Sequence, residues 1–140
     1  MLNRDKNKGE SENNLKLVGV NAAGLTSKLD SFDKLLADIK PGVFFIQETK
    51  MRNEGRIKTE NTKNYQIYEK LRKSGGGGGV ALGVHHDLNP AWVGDGPGEI
   101  ESLSVEITVE KLKIRCVAAY GPQETGPSME DKLKFWEHLP

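Results

Sequence analysis

Glu48 is the residue of this 140-residue chain whose position best suits chemistry. It follows the apolar run 43–46, where two β-branched and two aromatic residues predict a short strand buried on both faces. Gln47 separates this run from the carboxylate, and Thr49 and Lys50 add further polar groups. Since a buried strand holds its last residues rigidly, the stretch suits a metal or a phosphate. The alternative is that Glu48 is only the first solvated residue after a core strand and has no chemical role.

A strand, a helix and a second strand must position this carboxylate. Apolar residues at 15–20 predict the first strand, and Asn21 leads out of it. A helix follows that Thr26 or Ser27 can cap and that Pro41-Gly42 ends. Its apolar positions are Leu29, Phe32, Leu35, Leu36 and Ile39. Because short connections make this a βαβ unit with parallel strands, we expect Asn21 and Glu48 at one edge of the sheet.

The rest of the chain predicts mainly strands, joined by turns rich in glycine and proline. The predicted strands are residues 65–71, 80–84, 103–109 and 112–120. The last two alternate apolar and polar residues and predict a half-buried antiparallel hairpin. Residues 89–98 predict a loop with Trp92 anchored on the core, and a final helix is expected from Ser128.

Three other features could be mistaken for sites. The glycine run 75–79 lacks the Gly-Lys-Ser/Thr ending with which a P-loop binds phosphates and magnesium, so it predicts a turn. His85 and His86 are neighbours at a strand end and point to opposite faces, so they cannot both bind one metal without distorting the backbone. Cys116 lies in an apolar strand pattern, which predicts a buried, reduced thiol.

Composition and charge restrict the function classes. Twenty basic and twenty acidic residues cancel, so no net field attracts nucleic acid and any phosphate binding has to be local. No apolar run approaches a membrane span, and the chain does not begin with the apolar core of a signal peptide. We therefore expect an intracellular protein, nuclear or cytoplasmic, without a membrane partner. Residues 1–14 are polar and predict a disordered tail.

Four short motifs, in the same order along the chain, resemble the start of the endonuclease/exonuclease/phosphatase family. They are Asn21-Ala22-Ala23-Gly24-Leu25, Gln47-Glu48-Thr49-Lys50, Gly78-Gly79-Val80-Ala81 and Tyr120-Gly121-Pro122. Each lies on or beside a predicted strand. The chain is similar in particular to the apurinic endonuclease-like nucleases fused to reverse transcriptases in non-LTR retrotransposons.

This resemblance implies a fold, a cofactor and a reaction. The fold would be α+β, the N-terminal portion of a DNase I-like four-layer α/β/β/α sandwich with mixed β-sheets and outer helices. Residues 15–140 would form an incomplete domain of this family. Glu48 would hold a catalytic Mg²⁺ or Mn²⁺, and Asn21 would help to bind the metal or the scissile phosphate. Tyr120 would reach a phosphate oxygen and Gln123 would add a polar contact. The implied reaction is hydrolytic nicking of DNA.

The sequence also departs from the family pattern. Ala23 stands where many relatives carry an acid, so a ligand for a second metal is missing. The family's Gly-Asp-x-Asn stretch, which positions the nucleophile, does not occur in this sequence. Its Ser-Asp-His stretch, which supplies the base and an orienting acid, does not occur either. Because such groups act as a unit, we expect the chain to be an inactive or very weak fragment.

The departures leave alternatives open. The chain could be a noncatalytic remnant that serves as a binding or interaction module, or a phosphoesterase of the same fold that acts on a lipid or a phosphoinositide. A fragment would expose an apolar sheet face and would tend to self-associate. In a full-length gene product, the expected partners are DNA and a C-terminal reverse transcriptase.

Overall fold

The computed structural model describes residues 15–72, 77–96 and 101–120. The predictions made for the tail at residues 1–14, for Gln123 and for the helix that begins at Ser128 lie outside these described residues.

The first elements form the predicted βαβ unit. Strand β1 (Leu17–Asn21), helix α1 (Leu29–Ile39) and strand β2 (Val43–Gln47) follow one another, and β1 pairs parallel with β2. Helix α1 buries Phe32 and Leu36, which lie one turn apart on its apolar face. The apolar spacing and the short connections therefore predicted this unit correctly.

The start of helix α1 differs from the prediction. Thr26–Lys28 forms a 3₁₀ turn, and the helix then begins after Lys28 without a side-chain capping bond. Thr26 and Ser27 lie inside this turn rather than before the helix, so neither serves as the predicted cap. The helix ends at Lys40, which has a left-handed backbone and donates its N–H to the carbonyl of Leu36.

The first sheet is mixed. Strands β3 (Tyr65–Lys70) and β4 (Val80–His85) add to β1 and β2 in the order β1-β2-β4-β3, and β4 runs antiparallel to both of its neighbours. Strand β3 lies at an edge, as its alternating sequence predicted. Gly83 of β4 lies opposite Phe44 of β2, where the Phe44 ring occupies the space that a β-carbon would need.

The second sheet is antiparallel and contains an unpredicted strand. Its order is β5 (Ala91–Asp95), β6 (Ser102–Val109) and β7 (Leu112–Ala119). The loop prediction for residues 89–98 was therefore wrong in part, because β5 pairs with β6 despite the flanking glycine and proline. Trp92 is 51% exposed instead of anchored in the core, and its ring stacks on Tyr68 at 5.7 Å.

Strand β6 is more buried than the sequence predicted. Leu103, Val105 and Ile107 are fully buried as expected, but Ser102 and Ser104 on the opposite face are buried too. Strand β6 is the central strand of its sheet, flanked by β5 and β7, and small serine side chains are easily covered there. The prediction of a half-buried strand therefore holds only for its second half, where Glu106 and Thr108 are partly exposed.

Two apolar clusters cover the two faces of the first sheet. One lies between the sheet and helix α1, and the other lies between the two sheets. The first comprises Ala22, Leu25, Phe32, Leu36, Phe44, Ile46, Met51, Ile57, Tyr65 and Ala81. The second comprises Val43, Val80, Leu82, Val84, Leu103, Val105, Ile107, Cys116 and Ala118. The described residues thus form a helix layer and two sheet layers, and none of their helices has the length and apolarity needed to cross a membrane.

Candidate active site

Asn21 and Glu48 meet at the edge where strands β1 and β2 end. The amide nitrogen of Asn21 donates a hydrogen bond to Glu48 Oε2 at 2.9 Å. The amide oxygen of Asn21 accepts the backbone N–H of Ala23 at 3.2 Å, which fixes the side chain in one orientation. The parallel βαβ unit predicted this meeting, and the structure confirms it. The geometry also shows that Asn21 turns its nitrogen, not its oxygen, toward the carboxylate.

The backbone around Glu48 is held on both sides. Glu48 has a positive φ of 54°, a conformation that non-glycine residues seldom adopt outside constrained sites. Its carbonyl accepts the N–H of Gly24 at 2.8 Å, and the N–H of Lys50 donates to the carbonyl of Gly78 at 2.9 Å. Between them, Thr49 is fully buried. The carboxylate therefore projects from a loop that is bound to its neighbours and cannot swing freely.

The second sheet brings Tyr120 to this carboxylate. The side-chain amide of Gln47 donates to the carbonyl of Ala119 at 2.6 Å, which joins the end of β2 to the end of β7. Tyr120 follows directly, and its side chain hydrogen-bonds with Glu48. The structure thus places Asn21, Glu48 and Tyr120 together. The catalytic, metal-binding and phosphate-binding roles assigned to them from the sequence remain predictions.

The surroundings of Glu48 favour its ionised form. The hydrogen bond from Asn21 lowers the pKa of the Glu48 carboxyl most. The hydrogen bond with Tyr120 and the positive charges of Lys50 and Arg72 lower this pKa further, against the opposing effect of partial burial. Because the pKa lies below its ordinary value, Glu48 carries its negative charge at neutral pH.

Sequence reasoning missed two residues beside this group. Arg72 forms an ion pair with Glu101, with 2.6 Å between its terminal nitrogen and the carboxylate, and its guanidinium lies 5.8 Å from the centre of the Tyr120 ring. No motif marks either residue, and the two are 29 positions apart. The only available signal was position: Arg72 precedes the glycine run, and Glu101 lies two residues before a predicted strand.

The donor atoms suit a hard divalent cation with few protein ligands. Glu48 offers an ionised carboxylate, and magnesium commonly binds through one or two carboxylates while keeping several waters. Within residues 15–72, 77–96 and 101–120, no group of three or more His, Cys, Asp or Glu side chains could surround a metal. Among these described residues, the ionised carboxylate of Glu48 suits Mg²⁺ or Mn²⁺ with water and phosphate completing the coordination.

A cleft lies next to Asn21 between the edges of the two sheets. Its volume is about 430 Å³, and residues of β1, β2 and β7 line it. The lining is mostly apolar, with the polar side chains of Asn21 and Gln47 among it. The cleft therefore borders the candidate site at Asn21.

Comparison with known proteins shows the fold. The AP endonuclease LMAP from Leishmania major is 17% identical, with a TM-score of 0.68 over 86% of this chain and 44% of that chain. The endonuclease domain of TRAS1, a telomere-specific non-LTR retrotransposon, is 16% identical, with a TM-score of 0.60 over 88% of this chain and 52% of that chain. TDP2 of D. rerio, complexed with a single-strand DNA product, is 16% identical, with a TM-score of 0.64 over 86% and 52%.

These similarities confirm the DNase I-like fold of the endonuclease/exonuclease/phosphatase proteins that the four motifs predicted. The chain spans about half the length of the solved structures that it matches. No protein-family model and no curated protein sequence matches it. At these identities the likeness concerns the fold, and the reaction has to be argued from the site.

Proposed function

We propose that this chain carries the metal-binding part of a Mg²⁺-dependent phosphodiesterase site that nicks DNA. The single observation that carries the proposal is the ionised Glu48, held by Asn21 and Tyr120 at a strand end of a DNase I-like fold. Fixed carboxylates at such strand ends are well suited to binding a cation. The likeness to two endonucleases and to a protein with bound DNA supports DNA as the substrate.

Each residue has a distinct part in the proposed mechanism. Glu48 would hold Mg²⁺ or Mn²⁺. Asn21 would orient Glu48 through its amide nitrogen, which can also donate to the scissile phosphate but cannot bind the metal. Tyr120 would reach a phosphate oxygen and donate its one hydroxyl hydrogen there in place of Glu48 when substrate binds, and Gln123 would add a polar contact. When bound, the metal would offset the negative charge that develops on the phosphate and on the leaving oxygen.

The proposal also limits the activity of this chain. The 140 residues contain no Gly-Asp-x-Asn and no Ser-Asp-His stretch, which in the family position and activate the nucleophile. Removing one member of a catalytic unit costs almost as much as removing all of them. We therefore expect cation and DNA binding with little or no nicking. In the full-length gene product, we propose a reverse transcriptase partner and an intracellular location, nuclear or cytoplasmic.

A cation-binding measurement tests the central step independently of turnover. Mn²⁺ titration followed by electron paramagnetic resonance should show one site in the 140-residue chain, and Glu48→Gln should abolish it. Glu60→Gln is the matched control, because Glu60 lies on the surface and pairs with the exposed Lys63. Equal Mn²⁺ binding by all three proteins would overturn the proposal.

Plasmid nicking in Mg²⁺ and in chelator then separates the alternatives. Weak metal-dependent nicking that Glu48→Gln removes would show a phosphodiesterase that this chain alone can support. Mn²⁺ binding at Glu48 and DNA binding without nicking would show the metal-binding part of a nuclease. DNA or protein binding whose affinity is the same with and without metal, and in Glu48→Gln, would favour the noncatalytic module.

A further inference from the structure

Glu101 joins three parts of the chain beside the candidate site. One oxygen of its carboxylate accepts the Nε–H of Arg72 at 2.7 Å and pairs with a terminal nitrogen of the same guanidinium at 2.6 Å. The other oxygen accepts the backbone N–H of Gly79 at 2.6 Å. The main-chain carbonyl of Glu101 accepts the N–H of Tyr120 at 2.9 Å. Glu101 therefore binds Arg72, Gly79 and Tyr120.

These contacts define one arrangement, because the carboxylate is buried. Glu101 is 8% exposed, and a charge in such a position is stable only when it is paired and hydrogen-bonded. Gly78 packs directly on the guanidinium of Arg72, since a β-carbon there would collide with it. The ion pair and the backbone at Gly78 are therefore in direct contact.

Arg72 extends this arrangement to the tyrosine. Its guanidinium carbon lies 5.8 Å from the centre of the Tyr120 ring, within the range of a cation–π contact. The hydroxyl at the other end of that ring hydrogen-bonds with Glu48. Tyr120 is therefore held by its backbone through Glu101, by its ring through Arg72 and by its hydroxyl through Glu48.

We infer that Arg72 and Glu101 are positioning residues, which hold Tyr120 against Glu48 and so fix the geometry of the metal and phosphate site. The purpose of this arrangement rests on the function proposed above. Groups one contact away from a metal ligand commonly change metal affinity by about 10–100-fold when they are removed. Tyr120 lies at that distance from the metal through Glu48, and Arg72 and Glu101 act one contact further out, through Tyr120.

Nuclear magnetic resonance of tyrosine labelled with ¹³C at Cζ tests the positioning directly. Three signals are expected, from Tyr65, Tyr68 and Tyr120, and each is assigned with a Tyr→Phe variant. In the otherwise unchanged chain, Glu48→Gln should shift the Tyr120 signal, because the hydroxyl loses a charged acceptor. In the Arg72→Gln background, the Tyr120 signal should already be shifted, and adding Glu48→Gln should move it little further.

Arg115→Gln is the matched control, because it removes one arginine charge from an exposed position on β7. It should leave the Tyr120 signal and its response to Glu48→Gln unchanged. The Tyr65 and Tyr68 signals report whether the fold is intact in each variant. If Arg72→Gln unfolds, Arg72→Lys is read in the same way, since it keeps the charge and loses the planar fork.

Mn²⁺ affinity gives a second readout, in which the loss of charge and the loss of positioning change the affinity in opposite directions. Arg72→Gln removes a positive charge near Glu48, which alone would strengthen cation binding. A fall of about tenfold in affinity would therefore report lost positioning and support the inference. Affinity that is unchanged or increased, or equal responses of Tyr120 to Glu48→Gln in both backgrounds, would overturn it.

The two proposals fail separately in this design. If the unchanged chain binds no Mn²⁺ through Glu48, the proposed function falls while the coupling of the tyrosine signals still decides the positioning. If Mn²⁺ binds through Glu48 and Tyr120 responds independently of Arg72, the proposed function stands and the positioning inference is wrong.

Discussion

Replacing Gly83 with alanine tests the packing that supports the candidate site. A β-carbon at Gly83 would meet three ring atoms of Phe44, one of them at 2.6 Å, whereas real contacts essentially never fall below 3.0 Å. Phe44 cannot move away, because it is fully buried and packs edge-on against the rings of Phe32 and Tyr65. The ring centres are 5.1 Å apart in both pairs. Overpacking of this kind costs about 1–3 kcal/mol. For a chain of this size, that lowers the unfolding midpoint by roughly 3–12 °C.

Thermal and urea unfolding followed by circular dichroism measure this cost. Gly94→Ala is the control, because nothing lies within 4 Å of a β-carbon there, and it should change the free energy of unfolding by less than about 0.5 kcal/mol. Phe44→Leu makes room for the new methyl group, so Gly83→Ala with Phe44→Leu should cost less than the sum of the two, by about 1 kcal/mol. A Gly83→Ala protein that melts like the unchanged chain, or strict additivity in the double variant, would refute the packing argument.

Three further predictions follow from individual contacts. Asn21→Ala should raise the pKa of Glu48, since it removes the hydrogen bond that lowers it most; ¹³C titration of the carboxyl measures this, and an unchanged pKa would contradict the geometry. Lys70→Ala should cost about 1–3 kcal/mol in urea unfolding, because its buried ammonium binds a main-chain carbonyl. Lys63→Ala, at an exposed ion pair, should cost less than about 1 kcal/mol, and equal costs would count against this assignment. Burial raises the pKa of the Cys116 thiol and covers it, so a disulfide reagent should label Cys116 far more slowly in buffer than in urea. Equal labelling rates would show that Cys116 is accessible.

The sequence predicted those parts of the site that depend on local pattern. Apolar spacing identified helix α1 and the two strands beside it, and the parallel direction of the strands in a βαβ unit then placed Asn21 next to Glu48. Both inferences need only neighbouring residues and short connections. The order of the four motifs led further, to the DNase I-like fold, and the described residues of each motif lie on or beside a strand.

Long-range contacts were beyond the sequence. The pair between Arg72 and Glu101 crosses from the glycine loop to the start of β6, and a charged residue in a polar stretch gives no sign of burial. Lys70 is charged and follows Glu69 at the end of β3, so it would be placed in solvent, yet it is 8% exposed. Trp92 was assigned to a loop because proline and glycine flank it. It lies in strand β5 instead, because it pairs there with Val105 of β6. In each case tertiary packing outweighs local preference.

The hydrogen bond from Gln47 to Ala119 spans 72 positions of the chain, and this span has a kinetic consequence. Contacts between distant segments form late, because the entropy of closing the intervening loop is lost before the contact stabilises anything. The βαβ unit can assemble early from nearby residues. Tyr120 reaches Glu48 only after the second sheet has packed against the first. During refolding, helical signal should therefore return before cation affinity does, and the return of cation affinity would mark the completion of the fold.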